Sequence, residues 1–369
     1  MAWDSPSDQL TALRTRYIDL LATRLGELLG RLVADSHDDL AGPLNELVHH
    51  HGVQLAELLP APEISYRLLW PGRHQDTDTA KFLTRTWQEA LAPAGVPRLS
   101  NPILAARGPD ILGADGSPLA IWPHRELPID AASRFALTVD VAGTAVRLAR
   151  PLLPLSPAQV LDSLAKLDGA VTGIATTAEP AWRVVRDFTE VVMLLPDPAE
   201  PSQFSSGSSG QFVARVVLAN PQLTKVTTVH LAEALVHEAI HGVLYMDEQH
   251  DPWVLDPALY AGPMRVTSPW TGSPLPLRPF LQACFVWFGL LSFWSRALPG
   301  PAFERDQVRE RLVVAASGFL RGDLLQRVAK VRDRLSYEVW EAVSELQRLV
   351  VSLLGDEIPS RRFLAKEVL

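Results

Sequence analysis

The sequence predicts an α+β fold, mostly helical with a small antiparallel sheet, organised around one metal-binding helix of the zincin kind. Three observations carry that expectation. Long stretches at both ends repeat apolar residues at the helical period of about 3.6. Only a few short runs are rich in β-branched residues. In the second half, Leu235-Val236-His237-Glu238-Ala239-Ile240-His241 forms an HExxH motif on a segment of helical spacing. Hydrophobic residues make up 47% of the 369 and charged residues 21%, which permits a packed core and excludes disorder throughout.

In chain order, residues 7–34 read as an amphipathic helix whose stripe is Leu10, Leu13, Tyr17, Leu20, Leu21, Leu25, Leu28 and Leu32. A shorter helix through Leu40, Leu44, Leu47 and Val48 is expected to end at His49-His50-His51-Gly52. Three adjacent histidines on a helix point in different directions, so these read as a solvated helix end. Prolines break residues 52–77, and residues 78–94 form a helix carrying Phe82, Leu83, Trp87 and Leu91. Residues 95–130 read as loop with short extended pieces. Alternation over 134–141, glycine at 143 and alternation again over 145–148 predict a hairpin.

Ser156 is expected to cap a helix running to Leu167. A domain boundary is drawn near this point. It leaves 1–155 as an N-terminal helical region with a hairpin and 156–369 as a metal-binding domain with C-terminal helices. Phe188–Leu195 and Phe212–Leu218 read as strands, and the serine-rich stretch 201–210 between them reads as a flexible connection or a lid. A strand before a metal helix is the zincin arrangement, in which a sheet edge holds extended peptide. Residues 247–276 form a long loop, packed by Trp253, Tyr260 and Trp270. The most apolar helix runs from Leu277 to Leu298. Amphipathic helices with a break near 318–322 close the chain.

The bulk properties restrict function. Net charge is −8 and the pI about 5.7, which argues against a general nucleic-acid binder. The single cysteine, Cys284, excludes an internal disulfide and a cysteine-based zinc site, and fits a reducing cytoplasm. No basic-then-apolar signal pattern opens the chain, and the run from Ala283 to Trp294 is about half a bilayer span, so no membrane role is expected.

The motif carries the chemistry. On a helix, His237 and His241 stand one turn apart and offer imidazoles from one face to a single ion. Glu238 follows at the position that polarises a metal-bound water in zinc peptidases. Thr227 or Thr228 is suited to cap this helix. The third ligand is open. Val-Leu-Tyr-Met-Asp-Glu-Gln-His-Asp after Gly242 lacks the metzincin spacing, and no second acidic helix of the thermolysin type follows. Asp247, Glu248, His250, Asp251 and Asp256 are candidates. On the next helix Gln282 is the ligating side chain of the first half, apart from Cys284. Both zinc and non-haem iron accept such a set.

Phe204-Ser205-Ser206-Gly207-Ser208, then Leu231 to His241, then Ser268-Pro269-Trp270, then Pro276-Leu277 leading into Gln282-Ala283-Cys284-Phe285-Val286, occur in that order. Over roughly residues 180–295 this resembles the HExxH peptide-modification family of ribosomally made peptides, described as iron- and 2-oxoglutarate-dependent peptide β-hydroxylases. The resemblance implies Fe(II) held by His237 and His241, with position 282 as third ligand. Relatives have histidine there and this chain has glutamine. Arginines expected beside the Ser-Pro-Trp and Pro-Leu blocks are Thr271 and Leu275 here, so binding of the 2-oxoglutarate carboxylate would pass to Arg265 or Arg278. Trp270 and Tyr260 would wall the substrate pocket. The substrate implied is a ribosomal precursor peptide. The alternatives are a zinc metallopeptidase with Glu238 as general base, and a non-catalytic member that binds a peptide or partner enzyme.

Overall fold

The computed structural model describes residues 7–92, 97–108, 110–138, 151–259, 262 and 264–357. The described chain is mostly helical with small sheets, the α+β class expected. It divides into two compact units. One contains residues 7–172 and Trp182–Met246, the other Gly173–Ala181 and residues 247–357. The boundary drawn near residue 155 does not coincide with this division, because residues 156–172 and the HExxH motif group with the N-terminal helices.

The first unit opens with α1 (Ser7–Ala34), α2 (Asp38–Leu58), α3 (Pro62–Leu69) and α4 (Asp76–Leu91). Helix α1 buries Leu13, Tyr17, Leu21, Leu25, Leu28 and Leu32, the core of the expected stripe, and packs on the other three helices. Helix α2 does not stop at the histidines. It kinks at His51, where φ is −128°, and continues to Leu58 because Leu55 and the following Leu59 are buried. Next come α5 (Pro102–Arg107), a ribbon of β1 (Asp110–Leu112) and β2 (Pro118–Ile121), and β3 (Ile129–Asp130).

The expected hairpin fails at its start. Arg134–Leu137 is a helical turn, α6, because the Ser133 hydroxyl accepts from the amides of Phe135 and Ala136. That local cap outweighs the β-propensity of the segment. The rest of the expected hairpin, from residue 139, lies outside the described residues.

Helix α7 (Pro157–Thr177) runs ten residues beyond Leu167, and its start is a capping box. The Ser156 amide donates to the Gln159 side chain at 2.9 Å, and the Gln159 amide donates to the Ser156 hydroxyl at 3.4 Å. After α8 (Glu179–Asp187) come β4 (Val191–Leu195), β5 (Ser205–Gly207), β6 (Arg215–Ala219) and α9 (Thr228–Glu248).

The four strands of the main sheet lie in the order β3-β4-β6-β5. The first three are parallel and β5 pairs antiparallel with β6, so the expected antiparallel sheet is corrected to a mixed one. Every residue of β4 and β6 is buried. Continuous apolar runs covered on both faces suit parallel strands, and one-sided alternation would have suited antiparallel ones. Buried and part-buried ion pairs tie helices to this sheet. Glu190, just before β4, meets Arg14 of α1 at 2.7 Å and also Arg107 of α5, while Arg215 of β6 meets Glu63 of α3 at 3.5 Å.

The second unit holds the ribbon β7 (Arg265–Thr267) and β8 (Pro274–Pro276), then α10 (Leu277–Ala297), α11 (Arg305–Leu320) and α12 (Tyr337–Glu357). Helix α10 packs on α11 and α12. Among the described residues α10 alone has the length and composition of a membrane span, and 72% of its most apolar window is buried, as in a core helix. Its face contributes Phe293 and Trp294, which meet Phe303 edge-on. Cys284 is buried on the same helix, and burial pushes its thiol well above the usual range, which makes it inert as a nucleophile.

Candidate metal centre

Helix α9 is buried nearly all round. Leu231, Leu235, Val236, Ala239, Ile240 and Val243 are each at most 2% exposed. A helix apolar round most of its circumference belongs at the centre of its unit. Its first turn starts at Thr227, whose carbonyl accepts from the Leu231 amide and whose hydroxyl lies 2.9 Å from Nδ1 of His230. Gly242 lets it come close to the segment between α8 and β4, since a Cβ there would lie 2.6 Å from the carbonyl oxygen of Phe188.

His237 and His241 project from one face, with ring centroids 5.0 Å apart. His241 stacks on Tyr245 at 5.6 Å, which orients its ring. Both imidazoles are partly exposed, whereas Glu238 is 4% exposed. One donor atom from each of His237, Glu238 and His241 lies within 4.8 Å of the other two. Among the described residues this is the one group of three such histidine, cysteine or acidic side chains. Two ligands at about 2.1 Å from one ion stand at most about 4.2 Å apart, a span close to that of these donors. The donors present therefore fit a metal.

Glu238 is held from the sheet edge. Ser206 donates its hydroxyl to Oε1 at 2.7 Å, and Ser208 donates to Oε2 at 2.6 Å. Ser206 lies in β5 and Ser208 directly follows it, so two serines two positions apart reach both oxygens of one carboxylate. The serine-rich stretch, expected to be a connection or lid, contains the edge strand β5.

Asn220 fixes the approach to β5. It takes a positive φ of 57°, which asparagine tolerates. Its Nδ2 donates to the carbonyls of Glu200 at 2.9 Å and Gln203 at 2.8 Å, and its Oδ1 accepts from the Asp197 amide at 2.8 Å. Ser206, Ser208 and Asn220 were not singled out from the sequence. The usable signal was Ser-x-Ser two residues apart, close upstream of a strand and a metal motif.

The other expected site residues lie in the second unit. Gln282 is 2% exposed, and its Nε2 donates to Oε1 of Glu248 at 2.5 Å. A carboxylate only accepts, which fixes that amide orientation. Arg278 donates Nε to Oε2 of the same glutamate at 2.5 Å. Burial raises the Glu248 carboxyl above the usual range, against the opposing pull of Arg278 and Gln282. The proposed ligand and the proposed carboxylate anchor thus converge on an internal carboxylate.

Arg265 is exposed and donates to the carbonyls of Gly262 and Met264. Trp270 sits in the β7–β8 turn, where the Ser268 hydroxyl accepts from its amide. Its indole donates to the Ala315 carbonyl at 2.9 Å, stacks on Trp287 and covers Gly318, so it packs in the core. Tyr260 lies outside the described residues. Of the acidic alternatives, Asp247 accepts from the Trp253 indole and Asp256 pairs with Arg334.

No protein-family model matches the chain, and no curated protein matches it.

Proposed function

We propose that this chain is an iron(II)- and 2-oxoglutarate-dependent hydroxylase that acts on a side-chain β-carbon of an extended peptide, the substrate class being ribosomal precursor peptides. One observation carries the choice of metal. The group of close donors is two imidazoles and one carboxylate, the composition that non-haem iron enzymes use, and the carboxylate is itself hydrogen-bonded, as ligating carboxylates are. The motif helix, the Ser-Pro-Trp block and the segment entering α10 follow one another in the order of the family that the sequence resembles.

In this reading His237 and His241 hold the ion through their ring nitrogens. Glu238 contributes the compensating negative charge, and Ser206 and Ser208 keep its oxygens in place. Strand β5 is the sheet edge, so its outer side offers main-chain donors and acceptors to an extended peptide. The metal and its co-substrate together supply the oxidising power for replacing C–H by C–OH. The 2-oxoglutarate carboxylates have no assigned partner here. Arg278 is engaged by Glu248 and Arg265 by main-chain carbonyls, which does not match the expected anchors.

The test is turnover of a precursor peptide by anaerobically reconstituted Fe(II) protein on admission of oxygen. One succinate should form per oxygen atom added to the peptide. Processing by zinc-loaded protein without 2-oxoglutarate would overturn the reading in favour of the second one, a zinc metallopeptidase. The closeness of Glu238 to both imidazoles favours that alternative, because a general base belongs there. A peptidase loses cleavage on Glu238→Gln while keeping its metal.

A further inference from the structure

We infer that Ser206 and Ser208 are positioning residues that fix Glu238 at the metal centre and so make the β5 edge a working part of it. The inference rests on the proposed metal centre and deepens it. Each hydroxyl serves one oxygen of the same buried carboxylate, at 2.7 and 2.6 Å, the lengths of hydroxyl-to-carboxylate bonds. The two donors are neutral hydroxyls, which orient Glu238 without adding a positive charge.

Strand β5, which carries Ser206 and leads directly into Ser208, is tied to its surroundings. Its pairing to β6 runs Ser205 to Ala219, Ser206 to Leu218 and Gly207 to Val217. Asn220, the next residue after β6, ties down residues 197–203 that lead into it. A peptide that adds to the outer side of β5 therefore lies on the strand that sets the position of the carboxylate. Register on the edge and geometry at the metal are coupled through two hydroxyl groups.

The test uses Co(II), whose visible absorption reports its ligand field, titrated anaerobically into the metal-free full-length protein. Wild type is compared with the double variants Ser206→Ala/Ser208→Ala and Ser206→Thr/Ser208→Thr, and with His241→Ala. Loss of the hydroxyls should weaken Co(II) binding by about tenfold, as removal of groups that orient ligands does, and should move the visible band. The threonine variant keeps the hydroxyls and should restore both. A cooperative melt of the alanine variant separates this from misfolding, and the band position is a readout that loss of stability alone does not shift. Wild-type affinity and an unmoved band in the alanine variant, with binding still dependent on His241, would overturn the role of the serines alone. Co(II) binding indifferent to His241→Ala would overturn the metal centre itself, and the inference with it.

Discussion

Two buried glutamates on α9, Glu238 and Glu248, are held in opposite ways. Glu238 accepts from two neutral hydroxyls and stands beside two imidazoles. Glu248 accepts from the guanidinium of Arg278 and the amide of Gln282. The second carboxylate is neutralised within its own unit, and such a pair locks packing. The first is oriented by neutral donors, and in the proposed reading it balances the metal cation. The difference teaches that burial alone does not tell these two acids apart. The sign of the partner does.

Removing the imidazoles should break the comparison most completely. His237→Ala or His241→Ala should abolish stoichiometric metal uptake, with metal content read by mass spectrometry after anaerobic reconstitution. Full uptake by either variant would leave Glu238 no different from Glu248.

Arg278→Ala comes next. It strips the cation from Glu248, whose side chain is 2% exposed, and leaves a buried carboxylate with one amide donor. The expected loss is about 3 kcal/mol in urea unfolding, at the lower end for a broken buried pair because Arg278 is 25% exposed. Metal uptake should be unchanged. A loss under about 0.5 kcal/mol would refute the structural role.

Gly242→Ala probes the packing that brings α9 against the start of β4. The new methyl would meet a main-chain oxygen that cannot swing aside. A net loss of about 1–2 kcal/mol is expected, overpacking outweighing the gain in helix propensity. Unchanged or raised stability would show that the helix has room to shift.

The smallest effect is in pH. Burial raises the Glu248 carboxyl above its ordinary 4.5. Between that value and the raised one, the folded state holds a proton that the unfolded state has released. Stability contributed by this group is therefore greatest below the window, declines as pH rises through it, and is level above it. Glu248→Gln should remove that slope from a series of unfolding curves in the acid range. Parallel wild-type and variant profiles would show that Glu248 does not titrate as described.

Local patterns were readable in advance. The Leu13–Leu32 stripe, the Ser156 cap and the HExxH helix each depend on residues within a few turns of one another. The start of the hairpin expected from residue 134 was misread although its signal was also local, because the Ser133 cap competes with strand alternation for residues 134–137. The sheet was misread for a different reason. Val191-Val192-Met193-Leu194-Leu195 announced a strand, but its partners are chosen by which faces get covered. Its lack of polar alternation was the unused clue to a parallel centre.

By itself, then, the sequence determined the class of fold, the motif helix and the pair of imidazoles four residues apart, since helical periodicity and short-range spacing are properties of the chain as written. Only the tertiary structure decided that β5 is an edge strand, that Ser206 in it and Ser208 after it hold Glu238, and that Arg278 and Gln282 converge on Glu248. Those bonds join residues 30 to 34 positions apart. Contacts at that separation form when whole elements pack, and no local preference of either partner encodes them.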